Sequence, residues 1–238
     1  MASSSVLKLK KDVRSLSTKK RALSNAWFFK TGPGQYGEGD KFLGVTVPNV
    51  RKVVKKYSGI KQGEIKEILK SSIHEERLCA VLILVDQYKR ANQKRKKSIF
   101  DFYLKHAKYI NNWDLVDSSA PHIVGGYLLD KDRKILLKLA KSKNLWEKRI
   151  AIVSTLAFIV LNREYEWTFR VTEMLMEDKH DLIHKACGWM LREVGKRVSE
   201  DILCSFLDNY APYMPRTMLR YSIEKFSYNK RREYLSRK

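Results

Sequence analysis

Apolar residues recur along most of this chain at intervals of three and four, the period that gathers them on one face of an α-helix. Val6, Leu9, Val13 and Leu16 draw the first such stripe. The same pattern predicts helices over 5–17, 18–30, 48–57, 62–71, 73–91, 93–108, 113–129, 131–142, 145–162, 165–177, 181–197, 199–209 and 215–226. No segment sustains the alternation of a strand. Five of the eleven glycines fall within residues 31–44 (TGPGQYGEGDKFLG), so the remainder of the chain is poor in helix breakers. Predicted connections are short, as antiparallel neighbouring helices require. The longest apolar run, residues 150–161 (IAIVSTLAFIVL), is shorter than the roughly 18 residues of a membrane span and reads as a buried helix. The expected fold is all-α.

A repeat underlies the pattern. Arg77, Trp113, Arg149 and Lys185 stand 36 residues apart, each near the start of a predicted helix. Two positions later come Cys79, Leu115, Ala151 and Cys187, and three later Ala80, Val116, Ile152 and Gly188, which suits packing between layers. Two helices per 36 residues predict a curved α-solenoid of antiparallel pairs. It is expected to form a single domain over 1–238, with 1–4 and 229–238 as disordered basic ends. Anchor and anchor+4 share a helix face, so Arg77, Trp113, Asp117, Arg149, Lys185 and Trp189 should present cations, a carboxylate and two indoles together. The spacing alone favours the plainer reading, a pair of core tryptophans with Asp117 as a surface or capping residue.

Charge narrows the partner. Lys and Arg number 48 against 26 Asp and Glu, a formal charge of +22. Such a balance calls for an anionic partner, and cations interleaved with aromatics suit a nucleic-acid duplex. With 44% hydrophobic and 11% aromatic residues the chain can build a core, which excludes a polycationic tail. Three widely spaced cysteines and no secretory pattern lead to the expectation of a reduced, intracellular location. Residues 1–21 are Ser-rich and basic like a transit segment, but the apolar stripe favours a folded first helix.

Lys185 and Arg192 flank Trp189 at −4 and +3 and are candidate phosphate ligands, or else part of a solvated face. The glycine cluster lacks a phosphate-loop pattern and reads as a structural loop leading into a helix at Pro48. His180 and His184 at i, i+4 have no accompanying third ligand and read as helix-terminus residues. Lys-rich runs at 94–97 and 230–232 read as general electrostatic surface.

Four segments, FFKTGPGQYGEGDKFLGVTVPNVR (28–51), NNWDLVDSSAPHIVG (111–125), LWEKRIAI (145–152) and IHKACGWMLREV (183–194), give the chain a resemblance to the AlkD-type DNA alkylation repair proteins, HEAT-like-repeat DNA glycosylases. The resemblance implies HEAT-like helix pairs holding double-stranded DNA in a basic concavity and releasing cationic N3- and N7-alkylated purines. It places the active-site trio on Trp113, Asp117 and Trp189, the nearby arginine on Arg149 and a DNA contact on Arg51. It further implies a base left stacked rather than extruded, a monomer without metal or cofactor, and a cytoplasmic, nucleoid-associated protein if bacterial. Chemistry agrees with so sparse a site: a cationic base departs neutral without a general acid, and one carboxylate can stabilise the developing sugar cation and orient water. Asp114 lies on another helix face and is expected to be structural. The alternative is a noncatalytic helical-repeat module that binds nucleic acid or a protein.

Overall fold

The computed structural model describes residues 3–237 and is helical throughout, with no strand among the described residues. The helices form two compact units, residues 1–119 and 120–238, within what the sequence reading takes as one repeat domain.

The first unit contains α1 (Ser4–Arg14), α2 (Lys19–Phe28), α3 (Val47–Lys56), α4 (Gln62–Leu69), α5 (His74–Arg90), α6 (Gln93–Lys105) and α7 (Trp113–Asp117), with a 3-10 turn at Ala107–Tyr109. Its centre is α5. Residues 74–85 and Tyr88 of this helix are all buried, which marks a core helix enclosed on every side. Around it lie Val6, Leu9 and Val13 of α1, Val50, Val53 and Val54 of α3, and Ile65, Ile68 and Leu69 of α4. Leu16 does not join the α1 stripe; it falls past the helix end and is exposed.

The first four residues of α5, His74, Glu75, Glu76 and Arg77, are buried although all are ionisable, and groups so placed need partners. Glu75 accepts from the amides of Leu43, Gly44 and Val45 at 2.8 to 3.2 Å. Glu76 takes Arg14 Nε of α1 at 2.9 Å and Ser71 Oγ at 2.6 Å. The 31–44 loop is thereby pinned, as expected of a structural segment. Thr46 caps α3, with Pro48 in its first turn. Gly44 has φ +75°, and a Cβ there would stand 2.4 Å from Thr18 O and 2.5 Å from Ala22 N. Only glycine combines that conformation with that approach of α2.

The second unit contains a π-helical turn (Pro121–Gly125), α8 (Gly126–Leu128), α9 (Lys134–Ala140), α10 (Leu145–Ser154), α11 (Leu156–Leu161), α12 (Glu166–Met174), α13 (Asp181–Arg197), α14 (Glu200–Tyr210), α15 (Arg216–Ser222) and α16 (Tyr228–Ser236). Glycines set its closest approaches: a Cβ on Gly125 would meet Ser154 O at 2.2 Å, and one on Gly188 would meet Met218 O at 2.5 Å. All eight apolar repeat positions, Cys79 and Ala80, Leu115 and Val116, Ala151 and Ile152, Cys187 and Gly188, are buried.

Three differences from the predicted elements have physical causes. The helix expected over 113–129 stops at Asp117, because Pro121 has no N–H to give the carbonyl four residues back. The helix expected over 145–162 is interrupted at Thr155, whose hydroxyl bonds Ile152 O at 2.7 Å. The basic end expected to be disordered is helical over 228–236, held by Tyr234 Oη on Asp208 at 2.8 Å and Lys230 on Glu200 at 2.7 Å. Of that expectation, residues 1, 2 and 238 lie outside the described residues.

Gly44→Ala should lower unfolding free energy by about 2–3 kcal/mol, since it meets both a positive φ and a backbone collision. Urea denaturation measures this, and Gly59→Ala, where a Cβ meets nothing within 4 Å, is the control.

Candidate functional site

Trp113 and Asp117 open and close α7, one turn apart and both half-buried. A five-residue helix has little stability of its own, and both ends of α7 are tied down. At the start, Asn112 Oδ1 accepts from Trp113 N at 2.8 Å while its amide donates to Asp40 at 3.1 Å. At the end, Ser119 Oγ donates to Leu115 O at 2.5 Å and lies 2.8 Å from Tyr103 Oη. Burial raises the Tyr103 hydroxyl pKa, and the Asp117 charge adds to the rise, so Tyr103 stays protonated as the donor to Ser119.

The Trp113 ring ends an aromatic stack. Phe29 lies parallel to it at 5.1 Å and Phe28 meets it edge-on at 5.9 Å. Phe29 also stacks on Phe42 at 5.0 Å, and His74 lies 4.6 Å from Phe42 and 5.0 Å from Phe29. His74 Nε2 is 2.8 Å from Asp114 Oδ2 and Nδ1 is 3.4 Å from Asp40 Oδ2. Arg77 donates to Asp40 Oδ1 at 2.6 Å and to Ser71 O at 2.9 Å. Burial opposes charge on His74, but Asp114 and Asp40 outweigh it and raise its pKa to about 9. Burial likewise opposes charge on Asp40, and the bonds from His74, Arg77 and Asn112 outweigh it and lower its pKa. The cluster is therefore two buried cations between two carboxylates, in contact with the ring stack that ends on Trp113.

Arg77 thus corrects an expectation. Placed by the repeat on a surface with Trp113, it is 3% exposed and committed to Asp40. Asp114 has the structural role expected of it. His74, Asp40, Phe29 and Asn112 were not singled out in the sequence; the available signal was four consecutive ionisable residues, HEER, leading directly into an apolar helix.

Arg51 is exposed on α3 and lines, with Lys55, Lys89 and Arg90, a groove of about 410 Å³ floored by Val54, Leu82 and Val85. In the second unit, Trp189 is half-buried on α13. Arg149, expected among exposed cations, is 5% exposed and donates to Leu182 O at 2.6 Å. It is built into its unit and does not stand as an open phosphate ligand. Lys185 pairs with Asp181 at 2.7 Å, and Arg192 with Glu224. His180 caps α13 by accepting from Leu182 N at 3.1 Å, and His184 Nε2 lies 2.5 Å from Asp178 O, as helix-terminus residues would. No group of three His, Cys, Asp or Glu among the described residues could hold a metal ion, and no described helix is long and apolar enough to cross a membrane.

The family model for DNA alkylation repair enzyme matches residues 9–226. The chain belongs to the DNA alkylation repair enzyme family. Membership gives it a role in DNA alkylation repair and makes DNA its substrate. A solved structure titled as a predicted DNA alkylation repair enzyme from Enterococcus faecalis is similar to it in fold, with a TM-score of 0.67 at 13% identity over 89% of this chain and 97% of that one. No curated protein matches the chain.

For this family member, the raised His74 pKa makes stability depend on pH with a definite sign. The imidazolium's contribution is full below its unfolded value of 6.5, declines as pH rises and is lost through about 9. The stability difference between wild type and His74→Gln should therefore shrink by about 3 kcal/mol across that window in urea titrations. A difference independent of pH would show that His74 is neutral in the native state.

Proposed function

We propose that the protein is a monofunctional DNA glycosylase that hydrolyses the N-glycosidic bond of cationic N3- and N7-alkylated purines in duplex DNA. The observation that carries this reading is the pairing of an indole and a carboxylate, Trp113 and Asp117, one turn apart on an anchored helix of a DNA alkylation repair family member. An alkylated purine of this kind is positively charged and leaves as a neutral base. The reaction then needs no acid, only a group that lowers the energy of the sugar cation as the bond breaks. Asp117 supplies the charge and orients the attacking water. Trp113 offers an electron-rich ring face to the cationic nucleotide, and the resemblance implies the same role for Trp189, four residues past the anchor Lys185. Holding the indole by a stack rather than in a cavity suits a lesion that remains within the duplex.

Phosphate contacts fall to Arg51 with the groove cations beside it, and to Lys185 and Arg192. Arg192 also lies 3.9 Å from the buried Glu193, while its pair with Glu224 and that of Lys185 with Asp181 involve exposed carboxylates. Such pairs contribute little stability, so a phosphate can replace them at small cost.

Asp117→Asn should reduce single-turnover release of N7-methylguanine from duplex DNA by two orders of magnitude or more, roughly the loss seen when a single electrostatic stabiliser is removed. Affinity for undamaged duplex, measured by fluorescence anisotropy, should be retained. Wild-type rates in this variant would exclude Asp117 as the catalytic carboxylate.

Substrate charge gives a separate test. Uracil and hypoxanthine leave poorly without acid assistance and should be poor substrates, while Trp113→Leu and Trp189→Leu should each slow release of cationic bases. Efficient uracil excision, or unchanged rates in both variants, would refute the charge-based mechanism.

A further inference from the structure

His74 is buried and touches no group assigned to the chemistry, yet it reaches Trp113 by three routes. The first is α7 itself: Nε2 faces Asp114, the residue after Trp113, at 2.8 Å. The second is the ring stack, in which His74 packs on Phe42 and Phe29, and Phe29 on Trp113. A third route passes through Asp40, which faces Nδ1 and accepts from Asn112, the cap of Trp113 N.

We propose that His74 is a positioning residue whose protonated ring sets the orientation of Trp113 and of the α7 face that carries Asp117. The inference rests on the reading of that face as the reactive one. Its physical basis is a count of donors. Both imidazole nitrogens face carboxylates, and carboxylates only accept. The protonated ring satisfies both. A neutral ring has one N–H, so deprotonation sets a nitrogen lone pair against a carboxylate oxygen, and the longer contact to Asp40 at 3.4 Å is the one expected to open. Asp40 then keeps Arg77 on Oδ1 but loses a donor at Oδ2, the atom that Asn112 shares, so Asn112 is held less firmly. Deprotonation also removes the positive charge from beside the faces of Phe42 and Phe29, where a cation is favoured.

The other charges near His74 are accounted for. Asp114 on α7 and Asp40 on the loop favour the proton, and Arg77, one turn along α5, opposes it. Glu75 is engaged by the amides of residues 43–45, and Glu76 by Arg14 and Ser71. The balance leaves His74 protonated up to about pH 9.

The test pairs a titration with a rate profile. In protein labelled with 13C-histidine, the His74 resonance is the one absent from His74→Gln, and it should titrate near 9. The Trp113 indole N–H resonance should move with the same midpoint. Single-turnover release of N7-methylguanine should fall along an alkaline limb at that pH. Asp114→Asn keeps an acceptor for Nε2 and removes the charge, so both the resonance and the limb should move down by about one pH unit or more. Affinity for undamaged duplex should change by less than about twofold.

A His74 resonance near 6.5, a Trp113 resonance indifferent to it, or a limb that stays in place in Asp114→Asn would each overturn the proposal. The wild-type titration needs no variant, so a poorly folded substitution does not remove the test. Should the wild type release no base at any pH, the glycosylase reading fails, and the coupling of the two resonances still decides the role of His74.

Discussion

Four ionisable side chains at the buried start of α5 must find partners, and satisfying that requirement organises the first unit. His74 reaches α7 and the glycine loop, Glu75 the backbone of the same loop, Glu76 the helix α1, and Arg77 the loop again. Each link crosses at least thirty residues of sequence, so these side chains hold together segments that local propensity leaves independent. A buried charge without its partner is far more costly than a lost surface pair. The loop, α1 and α7 are therefore held in one arrangement by electrostatics, while apolar packing supplies most of the driving force.

This arrangement matters to the site because α7 is too short to orient itself. Five helical residues carry both Trp113 and Asp117, and what fixes them lies outside the helix: a cap shared with Asp40, a carboxylate against His74, a hydroxyl chain from Tyr103 and a ring stack from Phe29. The residues proposed to act on DNA are few, and the residues that hold them are several. Mobility at such a site would lower the effective charge that Asp117 presents to a developing cation, since preorganised charge acts without reorganisation at the moment of reaction.

Much of the fold was legible in the sequence. Helical period, scarce glycine and the 36-residue repeat lead to an all-α chain whose eight apolar repeat positions are buried. Less legible was what a given anchor does. Arg77 and Trp113 occupy equivalent positions, yet one is buried in an ion pair and the other ends an aromatic stack, because register fixes the helix face while the environment of that face depends on Asp40 and Phe29, distant in sequence. Arg149 is another such case, drawn inward by the carbonyl of Leu182. The break after Asp117 was readable in Pro121, whereas α16 was not, since its polar sequence is held by individual bonds such as that of Tyr234 to Asp208. In the site, Trp113 and Asp117 could be named from spacing and resemblance. The His74 cluster could not, because nothing local shows that Asp40 and Asp114 would converge on one ring.

The way Glu75 grips the glycine loop has an evolutionary consequence. The carboxylate reads three successive amide groups and no side chain, so it is blind to the identity of residues 43 and 45 so long as each keeps its N–H. Leu43 and Val45 are free to drift among amino acids that suit their surroundings without disturbing the anchor. Proline alone is barred from those two places by the anchor itself, while Gly44 is barred from nearly every change by its conformation.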